Sequence, residues 1–457
     1  MNCTAANTTL DFRGTRGWVR QSNDRGTLDI IVSCSVTIFL CIWTSVCVNV
    51  PAPERGIWAL LRSRWYLFCL GIVGPEFALL GSVGQYCSAR RSVLAFAGTK
   101  HAGWTMKHAF FADMGGIHLR FPDAPSFPVN AKQLHFLVTH GYIAYPNIST
   151  SEINDRNKAD GLARIICTIQ IFWFTLSTIS RPVVGYAITT LELTTLAYIL
   201  CALAILFFWR SKPMNIQTSM MLECPTPLSR IRRGRPPDET YYYTPLDFAG
   251  REEWIATRLW TYYVNMLRQM RVVHSYPRQL PVQHFSSFSC PIPTKPMIFI
   301  IFGITVAYTS IFVAGWNLHY PSATEQLLWR ICSSGTMIIT VIGSLFEVTI
   351  MFLQYQRRHS VTALVHNPDI EVIPRHPRPV SVKNSRWQAA LQNIRNNTPE
   401  KDPHFDIPIR SLLITTPLGA LYCIFRAFIL VEDVISLREL PASAFAAVGW
   451  STYVPHI

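Results

Sequence analysis

The chain has 457 residues, of which 49% are hydrophobic, 12% aromatic and only 15% charged, with a formal net charge of +14. A soluble domain carries about 25% charged residues, so an ordinary water-soluble globule is disfavoured, and apolar runs of about 20 residues point to membrane helices. The expected fold class is all-α, a polytopic helical membrane protein with about seven transmembrane helices.

Residues 1–27 form a polar tail holding Arg13, Arg16, Arg20 and Arg25, without the apolar core of a cleavable signal peptide. Residues 28–209 make a first membrane region of four expected spans, Leu28–Val50, Trp65–Cys87, Leu162–Ser180 and Tyr186–Trp209. The second is interrupted in "GIVGPEFALLG", where Pro75 removes a backbone donor and kinks a helix. Gly71, Gly74 and Gly81 admit a close neighbour there. Between the second and third spans lies the loop 88–161, with "KHAGWTMKHAFFADMGGIHL" from Lys100 to Leu119. Its His101, His108, Asp113 and His118 are chemically able to bind metal, but their spacing does not align three ligands on one helical face. An interfacial or re-entrant segment, with its aromatics in the boundary layer, is the expectation.

The third span is entered through "ISTSEINDRNKADGLARIICTIQIFWF". Ser149 and Glu152 have capping-box spacing, and Glu152, Arg156, Asp160 and Arg164 recur every four residues as a ladder of alternating charge. A competing reading takes Asn154, Asp155 and Asp160 as a magnesium and prenyl-diphosphate site, since several carboxylates are needed to hold the metal against phosphate. No second Asp-rich motif accompanies it, and only Asp155 lacks an obvious structural partner.

Residues 210–296 are a basic, Pro-rich loop around "SRIRRGRPPDET". Within it "EEWIATRLWTYYVNMLRQM" places Ile255, Leu259, Tyr262 and Met266 at helical spacing. Such a helix lies either on anionic headgroups or on the protein's own loops. Residues 297–354 give two spans, Met297–Trp316 and Trp329–Gln354; 355–410 is a basic connecting loop; 411–457 holds a last span, Ser411–Glu432, and a C-terminal interfacial segment. Nine of the 12 cysteines fall in the spans as small apolar packing residues, and no CxxC or disulfide framework is present.

Charges inside a membrane are costly and therefore functional candidates. Four stand out in these spans, Glu76, Glu192, Glu347 and Arg426. Gln170 is placed at a depth to hydrogen-bond Glu76, Glu192 and Arg426 to form an ion pair, and Glu347 to reach toward headgroups. A carboxylate at a broken helix resembles transporter sites, so a transport-like or ligand-binding bundle around Glu76 is the leading functional expectation. The alternative is a membrane-embedded isoprenoid- or lipid-modifying enzyme using Asp155 and Asp160. A seven-helix receptor is the weaker rival. Neither metal nor cofactor is assigned. The expected partners are the bilayer and its anionic headgroups, with no nucleic acid and the oligomeric state open.

With the N-terminus in the cytosol and the C-terminus outside, the tail and the three long loops hold 33 of the 41 Lys and Arg residues on the cytosolic side. Four glycosylation sequons, at Asn2, Asn7, Asn147 and Asn396, then fall on that same side, where they go unused.

Several strings together, "DRGTLDIIVSCSVTIFLCIWT", "GPEFALLGSVGQYCSAR", "WTMKHAFFADMGGIHL", "EINDRNKADGLARIICTIQIFWF", "LELTTLAYILCALAILFFWRSKP", "EQLLWRICSSGTMIITVIGSLF" and "GWSTYVPHI", resemble a family of uncharacterised fungal multi-pass integral membrane proteins. The resemblance spans nearly the whole chain. It implies a membrane location and brings no catalytic residues. In place of a "DKSKGD" motif the chain has "DRNKAD" at Asp155–Asp160, and Ala159 in place of glycine favours helix.

Overall fold

The computed structural model describes residues 14–20, 25–52, 57–99, 103–156, 161–232, 241–251, 254–273, 279–287, 289–365, 386–398, 402, 405 and 407–447. The chain runs β1 (Thr15–Arg16), α1 (Thr27–Ser45), α2 (Ile57–Val73), α3 (Pro75–Ala97), α4 (Met106–Asp113), β2 (Ile117–Arg120), β3 (Phe127–Pro128), α5 (Ala131–Thr139), α6 (Thr150–Arg156), α7 (Gly161–Val183) and α8 (Thr190–Phe208). It continues through β4 (Met220–Glu223), α9 (Leu228–Ile231), α10 (Asp247–Gly250), α11 (Ile255–Gln269), α12 (Lys295–Ala314), α13 (Ala323–Val365), α14 (Arg386–Arg395), α15 (Ile409–Ile435) and β5 (Leu440–Pro441). The protein is mostly helical, as its composition implies. Four helical stretches, Thr27–Ser45, Thr190–Phe208, Lys295–Asn317 and Ala323–Phe346, are long and apolar enough to cross a membrane.

These helices pack through small and aromatic residues. Ile30, Cys34 and Cys41 of α1 meet Cys167 and Ile171 of α7 and Leu191 and Ile199 of α8. Tyr308 and Phe312 of α12 meet Cys201 of α8, Trp329 of α13 and Ile429 of α15. At Gly335 a side chain would run into the Phe425 ring, so glycine sets how closely α13 approaches α15.

The expected second span, Trp65–Cys87, is not one rod. Leu60–Val73 and Pro75–Ala97 meet at a bend of 117°. Gly74 is extended (φ −157°, ψ 93°) and Pro75 opens α3 at its first position. A proline there lacks an N–H that would be unsatisfied anyway. Pro75 therefore starts a helix rather than kinking one.

Both outer ends of this hairpin lie at the same end of the bundle. The segment leading to α2 is tied there by Val50, whose N–H donates to the Met114 carbonyl at 3.1 Å. The far half of α3 returns to it, where Gln85 accepts from Lys212 at 2.8 Å and Ser88 donates to Asp113 at 2.9 Å.

That end carries a folded head. Its small sheet has the order β3-β2-β4, with β2 antiparallel to β3 and parallel to β4. Phe110, Phe111, Ile117, Leu119, Phe127 and Leu134 are buried in its core. The described part of the Lys100–Leu119 segment folds as α4 and β2 inside the head, with Trp104, Phe110 and Phe111 buried. His101 lies outside the described residues. His108 bonds the Ile148 carbonyl (2.8 Å), Asp113 accepts the Ala131 amide (2.9 Å), and His118 is enclosed in β2, so the three do not converge.

Two further expectations resolve, and a third falls partly outside the described residues. Ser149 and Glu152 cap α6 reciprocally, each bond 3.1 Å. The charge ladder runs through Asp160, which lies outside the described residues; of its other members, Arg156 donates to Thr218 (3.0 Å) and Arg164 to the Met214 sulfur. Helix α11 lays Leu259 and Tyr262 on Phe405 and Ile407 and on Leu412 of α15, so it packs on the protein itself.

At the other end, β1 pairs antiparallel with β5, Thr15 opposite Pro441 and Arg16 opposite Leu440. The two terminal segments therefore share one end of the bundle, contrary to the expectation that they lie on opposite sides. The expectation took the second span as one rod, and a segment that turns back on itself reverses the relation of the termini.

Candidate functional site

Breaking a helix exposes the last carbonyls of one half and the first amides of the other, at opposite ends of their dipoles. The hairpin tip answers both. Arg426 of α15, 0% exposed, donates from Nε to the Val73 carbonyl at 3.2 Å and from Nη2 to the Tyr198 hydroxyl at 3.1 Å. The Tyr198 hydroxyl in turn donates to the Ile72 carbonyl. A cation and a phenol thus cover the negative end of α2. Glu76, 7% exposed, stands in the first turn of α3, at the positive end.

The Glu76 carboxylate accepts the Tyr422 hydroxyl through Oε1. Its Oε2 has no hydrogen-bond partner among the described residues, and neither has Nη1 of Arg426. The guanidinium lies 4.6 Å from the centre of the Phe312 ring, and Tyr308, fully buried, flanks it. Four helical segments therefore converge on an acid, a guanidinium and three phenols: the hairpin tip, α8, α12 and α15. One turn of α15 separates Tyr422 from Arg426 and two turns separate Arg426 from Asp433, which is also buried.

Toward the head the polar groups continue. Lys212, 2% exposed, donates to Gln85 (2.8 Å) and Asn49 (3.4 Å), and burial pushes its amine below the usual range. The amides of Asn49 and Gln85 hold the carbonyls of Ser286 (2.9 Å) and Ser289 (3.2 Å). Beside them opens a cavity of about 370 Å³, lined by Gln85, Ser88, Arg91, Asp113, Gln133 and His135 among others. Burial pushes the Asp113 carboxyl up, against the lowering effect of the Ala131 amide and the Ser88 hydroxyl. A mixed wall of this size fits a small amphiphilic molecule.

Several sequence candidates fall elsewhere. Gln170 donates to Thr37 at 2.9 Å rather than to Glu76. Glu192 does not pair with Arg426; it caps α8 through Thr189 (2.9 Å) and meets Arg25 at 2.6 Å and Arg181 at 3.9 Å. Arg426 is drawn instead to the carbonyls freed by the helix break. The Glu347 side chain and Asp160 lie outside the described residues. Asn154 accepts Lys107 at 2.9 Å, and Asp155 is exposed. Sequence reasoning missed Tyr198, Tyr308, Tyr422, Lys212 and Asp433. The helical spacing of Tyr422, Arg426 and Asp433 was the available signal, hidden because tyrosines in apolar spans read as packing.

A family described only as a family of unknown function (DUF8562) matches residues 3–226. The matched stretch holds the hairpin and Glu76 and stops before Arg426. No curated protein and no solved structure matches the chain.

Proposed function

We propose that the chain is a multi-pass integral membrane protein whose bundle binds a small polar solute beside Glu76 and passes it in a transport-like manner. The carrying observation is the 117° break that sets Glu76 against the buried Arg426. Discontinuous helices of this kind offer unpaired backbone and opposed dipoles to substrates near the membrane midplane. The head cavity at the far end of α3 supplies a vestibule.

Lipid is the medium that suits the outer surface. Phe172 and Ile169 of α7, Phe299 of α12 and Leu413 and Ile424 of α15 are 63–70% exposed, an apolar belt that water would penalise. In this reading α1, α7, α8, α12, α13 and α15 cross, and α2 and α3 form a re-entrant hairpin, in place of seven crossings. The head end carries most of the Lys and Arg, whereas the end with the termini has Arg16, Arg20, Arg25, Arg181, Arg330 and Arg438. The positive-inside rule then turns the head to the cytosol, beside anionic headgroups.

The test is a thermal-shift screen of the detergent-purified protein against amino acids, organic acids and sugars. One class should stabilise the wild type and lose its effect on Glu76→Gln, with unchanged folding. A solute that stabilises both equally would place the site elsewhere.

A further inference from the structure

We propose that Glu76 and Asp433 share a single proton under the control of Arg426, so that the bundle carries a proton-exchange pair running from the hairpin tip toward the end with the termini. This deepens the transport-like reading of the Glu76 site and rests on it for its physiological meaning, though not for its chemistry.

Asp433 is 1% exposed, and the groups that approach its carboxylate as donors are the hydroxyls of Thr190 and Thr194. An ionised carboxylate buried among neutral hydroxyls, without an adjacent counter-ion, is costly. From α8, Thr190 and Thr194 face it; from α1, Cys34; from the segment before α13, Tyr320; and from its own helix, Glu432 and Arg426. Glu325 of α13 and Arg438 lie on the Glu432 side, paired with each other at 2.5 Å, and Arg25 and Glu192 reach Cys34 from the outer end. Glu76 is faced by Tyr422, Cys423 and Arg426 of α15, Tyr308 of α12, and Tyr198 and Cys201 of α8.

Arg426 is thus the cation that both acids face. Its Nε and Nη2 donate to a carbonyl and a phenol, which leaves its charge to be balanced through space. Asp433 lies two turns along the same face of α15, about 10 Å by helical rise. In a low-dielectric interior a charge interaction at that range stays substantial. One guanidinium balances one carboxylate, so the second acid holds a proton. When a proton leaves Glu76, that carboxylate becomes the counter-ion of Arg426 and Asp433 takes up a proton; the reverse transfer releases it. Proton number and charge are conserved in each direction, and no bond other than O–H is made or broken.

The experiment uses the full chain in detergent and infrared difference spectroscopy of the protonated-carboxyl C=O stretch at neutral pH. Wild type, Glu76→Gln, Asp433→Asn and the double variant are compared, each checked by gel filtration and circular dichroism. Either single variant should remove one protonated carboxyl, because the remaining acid ionises against Arg426, and the double variant should remove no more. Additive losses would mean two independent protonated acids, and no loss in the single variants would mean two ionised ones; either overturns the proposal. Arg426→Lys keeps the charge and should keep the signal, even where arginine removal prevents folding. If solute stabilisation depends on Glu76 while the infrared losses add, the solute site stands and proton sharing falls. Non-additive losses together with Glu76-independent solute binding would leave proton sharing standing and remove the solute from Glu76.

Discussion

Arg426 is fully enclosed at the centre of the bundle, where it closes the end of α2 and faces Glu76. Removing one partner from a set of buried charges commonly costs about 3–5 kcal/mol. Arg426→Met should therefore lower the detergent melting temperature markedly, and Arg426→Lys less, since lysine keeps the charge but not the fork. Equal melting temperatures for Arg426→Met and wild type would show that the guanidinium is dispensable. A second residue-scale effect lies in the head. The backbone amides of Ser229 (3.0 Å) and Leu228 (2.7 Å) hold the exposed Asp123 carboxyl below the ordinary range. A carboxyl depressed in the folded state stabilises fully above the unfolded value of about 3.9 and loses that contribution as pH falls toward the folded value. Asp123→Asn should flatten the acid limb of a melting-temperature profile over that window. An unchanged acid limb would contradict it. The capping pair Ser149–Glu152 was legible in the sequence because both partners lie within one turn. Glu192 and Arg426 were mispaired because similar depth says nothing about how each helix is rotated about its axis, and rotation decides which side chains meet.

At the scale of elements, the hairpin turns at Gly74 and packs its second arm through Gly84. Pro75 at the first position of α3 breaks no intrahelical bond, so Pro75→Ala should change stability by less than about 1 kcal/mol. A loss of several kcal/mol in a denaturation curve would restore the kink interpretation. Gly84 is different. A Cβ there would sit 2.6 Å from the Pro291 carbonyl oxygen, where α3 passes the segment walling the cavity. Gly84→Val should cost about 1–3 kcal/mol through overpacking, read as a lower melting temperature; an unaffected melt would show that the 285–291 segment yields freely. The strongly apolar helices α1, α8, α12 and α13 were plain in the sequence, since length and hydropathy are additive along the chain. The head was not. Its core alternates with polar caps over short elements, and what buries Phe110 and Phe111 is a sheet whose strand β4 comes from a distant loop.

For the whole molecule, the pairing of β1 with β5 sets both terminal strands opposite the basic head. With the head in the cytosol, Asn2 and Asn7, which lie outside the described residues, fall on the glycosylated side, and Asn147 and Asn396 do not. Asn396 is in any case engaged, its Nδ2 donating to the Asp402 carbonyl at 2.7 Å. Glycosidase treatment of the protein from a glycosylating host should shift its mass, and Asn2→Gln with Asn7→Gln should abolish the shift. A shift that persists in that double variant would reverse the orientation. Charge asymmetry was legible in the sequence, but converting it into topology needs the number of crossings, and that turns on the single bend at Gly74. The most direct test of the re-entrant hairpin is therefore sided labelling at its two ends. Trp58→Cys, at an 83% exposed position in α2, and Leu94→Cys, at a 63% exposed position late in α3, are probed in sealed vesicles with a membrane-impermeant thiol reagent. A re-entrant hairpin predicts that both new cysteines react from the same side; labelling from opposite sides would show that the segment crosses, and would remove Glu76 from the tip of a hairpin.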